Sequence, residues 1–125
     1  AELFALEEPA VLAGDYNAIP QDEDAARPDD WRDAALFRPE TLASFRKFLH
    51  AGWTDALRVH RPEPEVYTFW DYQAGAWARN DGIRIDHHLL TPQAAARLDA
   101  AGVDAHVRGS EKPSDHVPVW IDLAV

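Results

Sequence analysis

Strand-forming and helix-forming segments alternate along this chain, and that order constrains its fold more than any other feature. Apolar, β-branched and aromatic runs predict strands, the first of them buried, at residues 9–15, 66–72, 83–90, 103–107 and 117–123. Apolar spacing and end signals predict helices at residues 39–51 and 92–101. A chain of 125 residues holds one hydrophobic core. The order therefore predicts an α/β layered fold and excludes an all-β sandwich or a helical bundle.

The helix boundaries follow from local signals. Pro39 suits the first helical position, and Gly52 suits the stop after residue 51. Thr91 before Pro92 predicts the N-terminal cap of the second helix, which we expect Gly102 to end. Polar and Pro-rich residues at 20–33 and turn-forming residues at 73–82 predict loops.

The charge of the chain argues against unaided nucleic-acid binding. The formal net charge is −10, whereas nucleic-acid binders normally present a basic surface to the phosphates. A nucleic-acid function must therefore rest on specific residues at a site. The chain has no Cys, which suits a reducing cytoplasm, and Arg and Ala predominate over Lys as in bacterial proteins with GC-rich genes. No apolar run reaches about 18 residues, so we expect no membrane segment.

Three short motifs place carboxylates at or beside the edges of predicted strands: Gly14-Asp15-Tyr16-Asn17, Arg84-Ile85-Asp86 and Ser114-Asp115-His116. Asp, Asn and His side chains that meet at one sheet edge can hold a hard divalent cation and orient a water molecule. Each motif alone also has a structural explanation, because Asp, Asn and Ser commonly stabilise turns through their own backbone. Their combination favours a catalytic site.

Together these motifs resemble the G-D-x-N, R-x-D and S-D-H-x-P-V motifs of the endonuclease/exonuclease/phosphatase superfamily. The aromatic segment 67–72 and residues 111–116 resemble exonuclease III and AP endonucleases in particular. The resemblance implies half of a DNase I-like four-layer α/β sandwich, a mixed β-sheet with flanking helices. Residues 1–125 would form the C-terminal half of that domain, and the chain is expected to be a fragment without the N-terminal half.

The resemblance also implies roles for individual residues. Asp15 would hold or deprotonate the attacking water, Asn17 would bond the scissile phosphate, and His116 would contact a phosphate oxygen while Asp86 fixes its ring. Mg²⁺ (or Mn²⁺) would be held near Asp15, Asn17 and Asp115. The expected substrate-binding residues fall into two groups. Phe69, Trp70 and Ile85 would line the substrate pocket, and the basic residues Arg84 and Lys112 would contact DNA phosphates.

The implied reaction is hydrolysis of the P–O bond 5′ to an abasic site in double-stranded DNA, or of phosphodiesters and phosphates at 3′ ends. Alone, the fragment is expected to be inactive and to form a homodimer through the face left open. The expected location is the bacterial cytoplasm. Two alternatives stay open: a phosphatase or lipid phosphodiesterase of the same superfamily, and a non-catalytic acidic interaction module.

Overall fold

The computed structural model describes residues 8–32, 34–63, 65–72 and 75–124. Residues 33, 73 and 74 of the two predicted loops lie outside these ranges. Five strands are described: β1 (Val11–Asp15), β2 (Thr54–Asp55), β3 (Asp86–Leu90), β4 (Leu98–Val103) and β5 (Val119–Leu123). The α-helices are α1 (Pro39–Ala51), α2 (Ala56–His60) and α3 (Pro92–Ala95). Short 3-10 helices lie at Asp22–Asp24, Pro28–Trp31, Ala35–Phe37 and Ala105–Gly109.

The described strands form two sheets. One sheet has the order β1-β3-β2, and the other pairs β4 with β5; every pairing among these strands is antiparallel. Helix α1 packs on the first sheet, where Phe45 shares a buried cluster with Trp53 and Leu89. The predicted α/β class is confirmed. None of the described helices is both long and apolar enough to cross a bilayer.

The predicted helix at 39–51 is confirmed at both ends. Pro39 occupies the first turn, and Gly52 adopts a left-handed conformation with φ 112°. The Gly52 N–H donates to the carbonyls of Phe48 and Leu49, which satisfies groups that the last helical turn leaves free.

Strand β1 forms within the predicted segment 9–15, but the expectation that it is buried is wrong. Most of its residues are exposed, and Val11 is 36% exposed. The reason is its place in the sheet: among the described residues, β1 lies at the edge and pairs only with β3.

The prediction of a regular strand at 66–72 is wrong, although Phe69 in this segment forms β-bridges with two other segments. Its ladder is interrupted because the N–H groups of both Thr68 and Phe69 donate to the one carbonyl of Ile83, at 2.9 and 3.1 Å. Only isolated bridges result, from Phe69 to Ile83 and to His116. The neighbouring predicted strand at 83–90 is regular only from Asp86 onward.

The predicted helix at 92–101 is capped by Thr91 as expected, but it ends at Ala95. After a turn at residues 96–97 the chain forms β4 from Leu98, because pairing with β5 outweighs local helix propensity. Gly102 therefore does not end a helix; a Cβ there would lie 2.6 Å from the Trp120 ring, which covers it. The predicted strand at 103–107 gives way to a 3-10 helix, whereas the predicted strand at 117–123 is regular over Val119–Leu123.

Candidate active site

Three of the predicted catalytic side chains meet at one point. Asp15 ends β1 and lies directly opposite Asp86, the first residue of β3. Residues directly opposite in an antiparallel pair project from the same face. His116 joins them through the bridge from Phe69, so that ligand atoms of Asp15, Asp86 and His116 all lie within 4.8 Å of one another.

The imidazole of His116 is oriented by Asp86. Its Nδ1 lies 2.8 Å from Asp86 Oδ2, so Nδ1 carries a proton and donates to the carboxylate. The other ring nitrogen, Nε2, then faces two further carboxylates, at 3.7 Å from Asp15 Oδ2 and 4.0 Å from Asp115 Oδ1. Nδ1 of this ring is thus fixed by Asp86, and Nε2 is directed at Asp15 and Asp115.

The charges around His116 favour its imidazolium form. Burial by itself lowers the pKa of His116, but the hydrogen bond that its ring donates to Asp86 and the negative charges of Asp86, Asp15 and Asp115 outweigh burial and raise that pKa above its ordinary value. The ring is therefore more often cationic near neutral pH than a free histidine, and it can offer a positive N–H donor to an anion.

Asn17 helps to fix Asp15. The backbone N–H of Asn17 donates to Asp15 Oδ1 at 2.8 Å, which leaves Oδ2 directed towards His116. Asn17 itself has a left-handed φ of 49° and is exposed. The Gly-Asp-x-Asn motif is therefore a turn held by its own Asp side chain, as the structural explanation predicts. This does not conflict with a catalytic role for Asp15. The role of the Asn17 amide at a phosphate stays a prediction.

Thr68 connects the segments that carry Asp86 and His116, and sequence reasoning missed it. Its side-chain oxygen accepts hydrogen bonds from the N–H groups of Ile85 and Asp86 at 3.1 and 3.2 Å, and its carbonyl accepts from Val117 N–H at 2.9 Å. Thr68 is fully buried. A threonine inside an aromatic run carries no signal of this role, because Thr is also an ordinary strand residue.

Ser114 supports the same loop from the other side. Its hydroxyl accepts a hydrogen bond from His116 N–H at 3.1 Å, which closes a tight turn around Asp115. The Ser-Asp-His motif is thus both a turn and the carrier of two site residues.

Of the predicted pocket residues, Phe69 alone reaches the site. Its ring contacts the His116 ring edge to face, with centroids 5.1 Å apart, and it is partly exposed. Trp70 and Ile85 are only 2% and 3% exposed. Trp70 donates its indole N–H to Asn80 at 3.1 Å. The prediction that Trp70 and Ile85 contact substrate is wrong, because both side chains belong to the core in this structure.

The prediction that Arg84 contacts DNA phosphates is also wrong. Arg84 is 1% exposed, and its guanidinium bonds both carboxylate oxygens of Asp24 and of Asp55, at distances from 2.7 to 3.2 Å. Asp24 also pairs with Arg58. A buried guanidinium with two carboxylate partners cannot reach a phosphate. Lys112 is exposed with a φ of 50°, and its contact with DNA stays a prediction.

His87 completes this buried network. Its Nδ1 lies 3.2 Å from Arg84 Nη1, which can only donate, so Nδ1 accepts and Nε2–H donates to the Ala18 carbonyl at 3.0 Å. Burial, with the nearby charge of Arg84, lowers the pKa of His87 to about 4. The two histidines that flank the site are therefore of opposite character: His87 is neutral and structural, and His116 is readily protonated.

The sequence matches the Endonuclease/Exonuclease/phosphatase family over residues 2–116, which include the three residues of the cluster, Asp15, Asp86 and His116, and the neighbouring Asp115. This chain belongs to that family. It is 36% identical over 118 residues to an exodeoxyribonuclease of Bacillus subtilis, covering 94% of this chain and 45% of that protein.

Two solved structures show the same fold. A 3′ phosphatase from Neisseria bound to a product DNA hairpin matches with a TM-score of 0.93 and 35% identity, over 99% of this chain and 48% of that one. An AP endonuclease from Archaeoglobus fulgidus matches with a TM-score of 0.88 and 36% identity, over 94% and 46%. The chain thus has the DNase I-like fold of these nucleases and spans about half of their length.

The oxygen atoms at the site fit a hard divalent cation. Ligand atoms of Asp15, Asp86 and His116 lie within 4.8 Å of one another, and Asp115 Oδ1 lies 4.0 Å from His116 Nε2. Magnesium is usually held by one or two carboxylates, with water and substrate phosphate completing its shell. Asp86 already accepts a hydrogen bond from the His116 ring, and the binding of a cation near Asp15, Asn17 and Asp115 stays a prediction.

Proposed function

We propose that this chain contributes half of the catalytic site of a DNA-repair phosphodiesterase of the AP endonuclease and exonuclease III type. The observation that carries the proposal is the His116–Asp86 pair facing Asp15 across one sheet edge. Phosphoryl transfer depends mainly on positioning and on stabilising negative charge, and this cluster supplies both. The curated and structural relatives support DNA as the substrate class.

The side chains divide the proposed work between them. Asp15 accepts the proton of the attacking water, with its carboxylate held by the Asn17 N–H. His116 donates from Nε2 to an oxygen of the scissile phosphate, and its raised pKa favours the protonated donor. Asp86 keeps the ring in that orientation and stabilises its charge. When bound, Mg²⁺ or Mn²⁺ would add Lewis-acid stabilisation of the phosphate.

We propose that the segment is the C-terminal half of the family's domain and that the remaining half supplies further metal ligands. The net charge of −10 supports this division, because such a chain alone repels a phosphate backbone. In the proposal, the chain by itself is inactive. A second copy would cover the partly exposed strands in the absence of the other half; sedimentation showing a monomer at high concentration would contradict that dimer.

The substrates proposed are double-stranded DNA with abasic sites and DNA with 3′ ends, and the proposed location is the bacterial cytoplasm. The lack of Cys and the bacterial exodeoxyribonuclease relative support the location. A phosphatase acting at 3′ ends is the second candidate, which the similarity to the Neisseria 3′ phosphatase favours.

The experiment is a nicking assay on an abasic oligonucleotide with the protein that combines this segment with the family's other half. We expect cleavage that EDTA abolishes and Mg²⁺ restores. Asp15→Asn and His116→Asn should each lower the rate by about 100-fold or more, since each removes a directed charge or proton acceptor. Asp122→Asn, at an exposed position of β5, is the matched control and should leave the rate unchanged. EDTA-resistant nicking, or full activity of both site variants, would contradict the proposal.

A further inference from the structure

Tyr72 is an exposed aromatic side chain beside the site that the proposed mechanism does not use. It is 61% exposed, whereas the neighbouring aromatic Trp70 is 2% exposed. An aromatic ring normally gains stability by burial, so an exposed ring that is nevertheless held in place is a candidate binding surface.

Two contacts hold the Tyr72 ring. Its hydroxyl donates to the Pro113 carbonyl at 3.1 Å, and the Arg108 guanidinium carbon lies 5.1 Å from the ring centroid. Arg108 is itself 7% exposed and is fixed by bonds to the carbonyls of Trp70 and Asp71 at 3.2 and 3.1 Å. A guanidinium therefore backs the ring, and its hydroxyl is already used. What the side chain offers to solvent is a flat aromatic surface.

The position of Tyr72 relates it to the catalytic cluster. The segment 69–72 runs along residues 113–116: Phe69 contacts the His116 ring, Trp70 N–H donates to the Asp115 carbonyl at 2.9 Å, and Tyr72 reaches Pro113. Three residues of chain span at most about 10 Å. Stacked bases repeat about every 3.4 Å, so this span corresponds to between one and three nucleotides.

We propose that Tyr72 stacks on a nucleobase that flanks the scissile phosphate, an inference that rests on the proposed function. A base that borders the abasic position has one flat aromatic face that no neighbouring base covers. Every base has such a face, so this contact tolerates any sequence. Stacking also does not depend on positive charge, which matters in a chain of net charge −10. Arg108 acts as a positioning residue that holds the ring.

The cleavage test compares variants on matched substrates. The substrates are an abasic oligonucleotide with normal flanking nucleotides and versions in which a baseless spacer replaces one neighbour on either side. Tyr72→Ala should lower kcat/KM about 5- to 150-fold on the normal substrate, the loss expected for one stacked base. The same variant should show little loss on the substrate whose spacer removes the stacked base.

Tyr72→Phe separates stacking from structural support. Phe keeps the ring but cannot donate to Pro113, so stacking predicts nearly full activity on both substrates. A large loss with Tyr72→Phe, or an equal loss with Tyr72→Ala on all substrates, would overturn the proposal, because the residue would then only hold the loop before Asp115.

A second measurement does not depend on cleavage. The chain has three Tyr, so isotope-labelled ring signals can be followed by NMR, and Tyr72→Phe identifies the Tyr72 signal by its loss. A short single-stranded oligonucleotide in about 0.1 M salt, where charge repulsion is screened, should move that signal upfield. An oligonucleotide without bases should not. Equal shifts, or none, would overturn the stacking proposal, whereas an inactive enzyme with a clear base-dependent shift would overturn only the proposed reaction.

Discussion

Arg84 is expected to be among the most costly side chains of this chain to remove. Its guanidinium is 1% exposed and bridges Asp24, 1% exposed, and Asp55, 8% exposed. Arg84→Met keeps an unbranched apolar side chain but leaves buried carboxylates without their main partner. Removing one member of a buried ion pair typically costs about 3–5 kcal/mol. Arg58 still pairs with Asp24, so we expect the lower end, about 3 kcal/mol.

Urea denaturation followed by tryptophan fluorescence measures this loss. A urea m-value of about 1–3 kcal/mol/M converts 3 kcal/mol into a midpoint lower by about 1–3 M. Arg79→Met is the matched control, since Arg79 pairs with Asp81 at 3.2 Å while 45% exposed and should contribute less than about 1 kcal/mol. If Arg84→Met unfolds within about 0.5 M of the parent chain, the network does not stabilise the fold as its geometry requires.

Three further expectations concern the residues around the site. The pKa of His87 is lowered to about 4 in the folded chain, below its ordinary value near 6.5. As the pH falls, the unfolded chain therefore protonates His87 before the folded chain does. Stability should fall as pH drops from about 6.5 to 4, by about 3 kcal/mol in urea titrations, and His87→Gln should flatten that pH profile. Thr68→Val leaves two buried N–H groups without an acceptor and should cost about 1–3 kcal/mol; amide NMR shifts confined to sites far from Asp86 would contradict its bridging role. Asp86→Asn should lower the pKa of His116 in an NMR titration, whereas Asp122→Asn should not; an unchanged His116 pKa would show that Asp86 does not stabilise the imidazolium.

The sequence predicted what depends on local signals and on motif order. Helix α1 was predicted because Pro39 and Gly52 mark its ends. Asp15, Asp86 and His116 were predicted to converge because of the combination of their three motifs and the family that these motifs resemble. In each case residues next to one another in the sequence carry the signal.

The predictions that failed depend on distant contacts. An Arg in an alternating segment looks solvent-exposed, and nothing near Arg84 in sequence reveals Asp24 and Asp55, which come from far along the chain. Likewise, the segment after Ala95 favours a helix locally, and only β5 makes it a strand. Burial of Trp70 and Ile85 has the same origin.

The pairing of Asp15 with Asp86 has a consequence for how this active centre can vary among relatives. Strand side chains alternate between faces, so shifting β1 by a single residue would turn Asp15 to the opposite side and disperse the cluster. Hydrogen-bond pairing between two short strands, and not the length of the chain joining them, fixes the relative positions of Asp15 and Asp86. Insertions and deletions in exposed connections such as residues 61–63 should accumulate freely, while a one-residue insertion or deletion inside either strand should disperse the cluster.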